Sequence, residues 1–155
     1  MNRLTAGSPA PAFELSDQNG TPVRLESFRG KKVLVYFYPK AMTPGCTTQA
    51  CELRNSKNAL EERNVVVLGI SPDSPARLKK FETRDELNFT LLADEDHQVA
   101  EAFGVWGLKK FMGKEYDGIH RISFMVNEEG IIEHVFDNFK TSNHHQIVID
   151  YLDSL

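Results

Sequence analysis

Thiols are scarce in this chain of 155 residues: there are two cysteines, Cys46 and Cys51. Two are too few for a disulfide framework. They form no C-x-x-C pair, and zinc asks for about four ligands, so no metal site is expected. His144 and His145 are adjacent and cannot both face one ion from a helix. Positive charge is not in excess either. Eighteen Lys and Arg against 22 Asp and Glu leave a net charge of −4, which argues against broad binding to nucleic acid or anionic lipid. No apolar run approaches the ~20 residues that span a bilayer, and Met1–Phe13 has no hydrophobic leader segment. The expectation is therefore a cytoplasmic protein with no membrane or nucleic-acid partner. Neither a G-x-G-x-x-G nor a Walker A sequence occurs, so nothing anchors a nucleotide and no cofactor is expected. Repeats and low-complexity tracts are absent as well.

What is present reads as one globular domain, residues 1–155. Apolar residues make up 41% and charged residues 26%, ordinary values for a globule. A chain this long buries about two-thirds of its surface and needs no covalent staple. Strand and helix signals alternate. Phe13–Leu15 and Val23–Leu25, around Asp17-Gln-Asn-Gly-Thr21, predict an N-terminal hairpin. Val33–Tyr38 and Val65–Ser71 are continuous β-branched and aromatic runs, the pattern of strands buried on both faces. A long helix is predicted from about Pro44 to Arg63. Another opens at Ser74-Pro75, with Ser as N-cap and Pro at the first position, and runs to Glu86. Phe89–Leu92 reads as a short strand and Asp96–Phe103 as a short helix with an acidic start, Asp94-Glu-Asp96. Gly104–Ile119 reads as a glycine-punctuated loop, with Lys109, Lys110 and Lys114 solvated and Trp106 and Phe111 as packing residues or as the lining of a substrate entrance. His120–Val126 and Ile131–Phe136, joined by Asn127-Glu-Glu-Gly130, predict a second hairpin. Asn143–Leu155 is the last helix, capped by Ser142 or Asn143. This order implies an α/β fold: a mixed central β-sheet with helices on both faces and an N-terminal β-hairpin.

Chemistry concentrates in Pro39-Lys-Ala-Met-Thr43-Pro-Gly-Cys46-Thr-Thr-Gln-Ala-Cys51. A buried strand ends at Tyr38, the chain turns at Pro39, and Thr43-Pro44 starts a helix. With Thr43 as N-cap, Cys46 falls at N3. There the unpaired N–H groups and the positive end of the helix dipole favour a thiolate, the nucleophilic form. Cys51 lies five positions on. In an ideal helix that separates the two Cα atoms by roughly 8.7 Å, beyond the ~7 Å limit of a disulfide. The pair closes only if the first turns unwind. Spacing alone leaves Cys51 open between a core residue and a redox partner.

The stretch resembles the peroxiredoxins, in particular the bacterioferritin comigratory protein (peroxiredoxin Q) branch. Pro39, Thr43 and Cys46 match that family's Pro-x-x-x-Thr/Ser-x-x-Cys motif, and the likeness runs from Pro9–Leu15 through Asn88–Asp94 and Phe103–Gly107 to Gly118–Phe124. Ala41 stands where many relatives carry Asp, outside the motif's fixed positions. The resemblance implies a thioredoxin-like fold and a thiol peroxidase for hydrogen peroxide and organic hydroperoxides. It implies Cys46 as peroxidatic nucleophile, Thr43 and Arg121 as donors to thiolate and peroxide, and Pro39 as a shield. Cys51 resembles the resolving cysteine of those members that place it in the same helix, forming an intramolecular disulfide. Thioredoxin, with glutaredoxin as an alternative, would be the reductant, and the branch suggests a monomer. Two other readings share the thiol chemistry: a thiol redox sensor, and a thioredoxin-like disulfide oxidoreductase, which would want the missing C-x-x-C.

Overall fold

The computed structural model describes residues 3–155. Its strands are β1 (Glu14–Asp17), β2 (Pro22–Arg24), β3 (Lys32–Phe37), β4 (Val65–Ser71), β5 (Thr90–Ala93), β6 (Trp106–Phe111), β7 (Lys114–Ile119), β8 (Ser123–Val126) and β9 (Ile132–Phe136). Its α-helices are α1 (Pro44–Asn55), α2 (Lys57–Glu62), α3 (Pro75–Asp85), α4 (Gln98–Ala102) and α5 (His144–Asp153). Seven strands form one mixed sheet in the order β2-β1-β5-β4-β3-β8-β9. β3, β4 and β5 run parallel, as helical crossovers require, while β1, β2, β8 and β9 pair antiparallel with their neighbours.

The central strands are apolar throughout because both their faces are covered. Side chains alternate across a strand. Leu34, Tyr36 and Tyr38 therefore join a core beneath α1, α2, α3 and α5, with Leu53, Leu60, Phe81 and Val148. Val33, Val35 and Phe37 join a second core on the opposite face, with Phe103, Phe124 and residues of α4. Helices thus cover both faces, and the N-terminal hairpin β1–β2 is present. Ser74 caps α3 as predicted, its hydroxyl accepting from Arg77 N–H at 3.2 Å. Buried Asp94 serves α4, its carboxylate accepting from Val99 and Ala100 N–H. Among the described residues no helix is long and apolar enough to cross a membrane.

Several expectations need correction. The single helix predicted from Pro44 to Arg63 is interrupted at Ser56, whose hydroxyl donates back to the Glu52 carbonyl at 2.8 Å. Such back-bonding competes with the helical ladder and bends helices without any Pro or Gly. The predicted loop Gly104–Ile119 contains a separate two-stranded hairpin, β6–β7, turning at Met112-Gly113. Both turn residues have positive φ, 51° and 79°, the requirement of a tight hairpin turn that matches strand twist. Phe111 does not pack inward but is 66% exposed at the hairpin's end. Trp106 does pack, stacking on His97 with ring centroids 3.7 Å apart.

Candidate active site

The Cys46 site lies where β3 ends. Pro39, partly buried, follows Tyr38 and ends the strand run; Lys40–Thr43 turn the chain, and α1 begins at Pro44. Cys46 sits in the first turn of α1, buried at 2% exposure. The backbone N–H groups of that turn have no partner within the helix, so they face whatever occupies the site. Phe37 N–H donates to the Ile122 carbonyl at 3.1 Å. That bond ties the segment between β7 and β8 to the same end of β3, which places Arg121 over the start of α1. Arg121 lies just before β8 rather than within the strand expected from His120.

The geometry around the sulfur is specific. Arg121 Nη2 donates to Cys46 Sγ at 3.4 Å, and Nη1 donates to Gln49 Oε1 at 2.7 Å. Gln49 is three residues beyond Cys46, hence on the same helix face. It is fully buried, and among the described residues its Nε2 has no partner. The guanidinium is thus held in plane between an acceptor and the thiol, a use of its fixed fork of donors. Behind the sulfur, Tyr36 and Tyr38 stack with centroids 5.3 Å apart in the core that includes Cys46. Burial pushes both phenols well above their ordinary range, so they stay neutral.

Thr43 stands at the N-cap, but its hydroxyl does not cap the helix as expected. It donates to the Lys40 carbonyl at 2.9 Å, across the turn. Cys51 is on the same unbroken helix, partly buried, and both thiols are free. The structure brings Cys46, Gln49 and Arg121 into contact. Thr43 is placed one turn away in the chain, with Pro39 at the strand end and Cys51 further along α1.

Beyond Arg121, which the resemblance indicated, several residues at this site carried no sequence signal. Gln49 and Arg121 are 72 residues apart, and only the sheet joins them. Lys109 was expected in solvent but is partly buried, its Nζ donating to the Ile119 carbonyl at 2.8 Å. Burial, and then the like charge of Arg121, hold its ammonium below the usual lysine range. Asp73 and Arg77 meet the turn that precedes Cys46 through Ala41. Among the described residues no group of three or more His, Cys, Asp or Glu could hold a metal.

Comparison with known proteins bears on this arrangement. Residues 6–135 match the model of the AhpC/TSA family. The chain is 62% identical over 152 residues to peroxiredoxin Bcp of Escherichia coli strain K12, covering 98% of this chain and 97% of that one. Its fold matches a cysteine-to-serine mutant of peroxiredoxin PrxQ from Xylella fastidiosa with a TM-score of 0.92, at 25% identity and 99% and 98% coverage. It also matches the bacterioferritin comigratory protein of Xanthomonas campestris, a structure described as giving insights into alkyl peroxide reduction. There the TM-score is 0.89 at 29% identity, with 96% and 98% coverage.

Proposed function

The chain belongs to the AhpC/TSA family and is a peroxiredoxin of thioredoxin-like fold, a thiol peroxidase; from this we propose that Cys46 is the peroxidatic nucleophile and Cys51 the residue that resolves it. The observation that carries the reading is the Arg121 guanidinium, set 3.4 Å from Cys46 Sγ and braced by buried Gln49. Cationic donors beside a sulfur at a helix N-terminus favour the thiolate.

In the proposed cycle, the Cys46 thiolate attacks one oxygen of a hydroperoxide. The O–O bond breaks, sulfur takes that oxygen as a sulfenic acid, and the leaving alkoxide or hydroxide collects a proton. Charge develops on the leaving oxygen, so donors must already be in place. The α1 N–H groups and Arg121 supply them, and Thr43 can exchange its bond to the Lys40 carbonyl for one to bound peroxide. Pro39 has no N–H and closes off the strand end against water. Cys51 then condenses with the sulfenic acid, releasing water and forming an intramolecular disulfide. Because the two thiols lie on an intact helix, this step unwinds the first turns of α1. Thioredoxin is the dithiol donor we favour, with glutaredoxin as the competitor. The substrates are hydrogen peroxide and organic hydroperoxides. The enzyme acts as a single-domain monomer in the cytoplasm and uses no metal or other cofactor.

The test is peroxide consumption by the purified protein with thioredoxin, thioredoxin reductase and NADPH. Cys46→Ser should abolish turnover without unfolding the chain, and most activity remaining in that variant would reject the mechanism. Cys51→Ser should still form the sulfenic acid but lose thioredoxin-supported turnover.

A further inference from the structure

The turn between β3 and α1 is held from outside by Asp73, in the connection between β4 and α3, and Arg77, in α3. Ala41 is fully buried, and both its backbone groups are engaged. Its N–H donates to Asp73 Oδ2 at 2.7 Å, and its carbonyl accepts from Arg77 Nη2 at 2.9 Å. Asp73 and Arg77 are in turn paired, Oδ1 to Nε at 3.1 Å, and Ser71 Oγ donates to Asp73 Oδ2 at 2.7 Å. The carboxylate is buried and the guanidinium partly so. A charged pair therefore grips one residue of the loop on both sides. The next residue, Met42, has φ of 66°, a left-handed conformation that a non-glycine side chain adopts only when its surroundings enforce it.

Release of this grip would give the loop a second state. Cys46 follows Met42 by four positions, so the gripped state fixes where α1 starts and where its sulfur meets Arg121. The released state frees the first turns that must unwind before Cys51 can reach Cys46. We propose that Asp73 and Arg77 are positioning residues that hold the site in its peroxide-reactive form, and that loosening them trades peroxide attack for disulfide closure. This rests on the roles of Cys46 and Cys51 given above, but the grip itself does not depend on any chemistry. Neither residue touches the reacting atoms. Both act through Ala41.

The experiment mixes reduced protein rapidly with hydrogen peroxide, quenches with acid, and reads reduced, sulfenic and disulfide forms by mass. Arg77→Gln alters a partly exposed side chain, and Asp73→Asn preserves shape. Both should slow sulfenic acid formation roughly tenfold or more, since small misplacement of a reacting group is costly, and both should speed disulfide closure several-fold. Arg77→Lys should restore part of the first step. Opposite changes in two consecutive steps are not what general destabilisation produces. Equal slowing of both steps, or no change in either, would overturn the proposal. Amide exchange of the reduced, untreated chain is the second readout: Ala41 N–H should be protected in the parent protein and exchange at least tenfold faster in Asp73→Asn. An Ala41 amide unprotected in the parent protein would overturn the grip directly. Failure of the Cys46 reading would show instead as an unmodified Cys46 with that protection intact.

Discussion

Gln49→Leu should separate activity from stability. Gln49 is fully buried, with Oε1 bonded to Arg121 and Nε2 without a partner among the described residues. Leucine has nearly the same volume, so no cavity opens. The substitution forfeits a hydrogen bond to a charged group, worth about 1.5–3 kcal/mol, and removes a buried donor whose lack of a partner costs about 1–3 kcal/mol. The two effects oppose, so net stability should move by about 1 kcal/mol or less, or at most about 4 °C in Tm for a chain this size. The guanidinium, however, loses the acceptor that aims it, while its other donor is the one 3.4 Å from Sγ. Misplacement by about 1 Å can cost about 100-fold. We expect kcat/KM for hydrogen peroxide to fall about 10- to 100-fold, or about 1.4–2.7 kcal/mol in the barrier. Gln49→Glu keeps an acceptor and should retain most activity. The assays are NADPH-coupled peroxide turnover and thermal melting followed by circular dichroism. Full activity in Gln49→Leu would refute the claim that this bond aims Arg121. A loss of more than about 10 °C in Tm would show that Gln49 acts chiefly on the fold.

Three further outcomes follow from other parts of the structure. A Cβ at Gly69 would lie 2.8–2.9 Å from the Tyr36 ring, which Tyr38, Phe89 and His144 surround; Gly69→Ala should therefore cost about 1–3 kcal/mol in urea unfolding, and an unchanged midpoint would show that the ring can move. Burial, then the cationic neighbours His145 and Arg121, lower His144 to about 3, so between its unfolded value near 6.5 and about 3 only the unfolded chain takes up the proton. Stability should accordingly fall with acid, by about 2 kcal/mol from pH 7 to pH 5, and His144→Asn should flatten that limb of a denaturation series. Finally, peroxide-treated protein in which Cys46 and Cys51 are joined should show rapid amide exchange over residues 45–50, while a joined pair with α1 still protected would contradict the helical spacing.

Much of the fold was legible because its signals are local. The runs Val33–Tyr38 and Val65–Ser71 are apolar at almost every position, which only strands covered on both faces require. Ser74-Pro75 declares a helix start in two residues. The hairpin β6–β7 was not legible. It stands as its own two-stranded sheet with much of both faces in solvent, so no buried stripe imposes alternation on Trp106–Phe111 or Lys114–Ile119. Its glycines and lysines read as loop. The break at Ser56 was hidden for another reason: a hydroxyl bond back to Glu52 leaves no mark in composition.

At the site, chain order alone places Cys46 in a first helical turn, five residues from Cys51, because Thr43, Pro44 and the preceding strand act over a few bonds. Those neighbours put one sulfur at a helix start and a second beyond disulfide reach on the same intact helix. Which face Arg121 presents, whether Gln49 or solvent holds it, and that Asp73 and Arg77 grip Ala41 were settled only by tertiary structure. Each of these contacts joins residues 32 to 75 positions apart. Their meeting depends on how parallel strands β3 and β4 align and on the pairing of β3 with β8, and that registry comes from packing two cores at once rather than from any one segment's preferences.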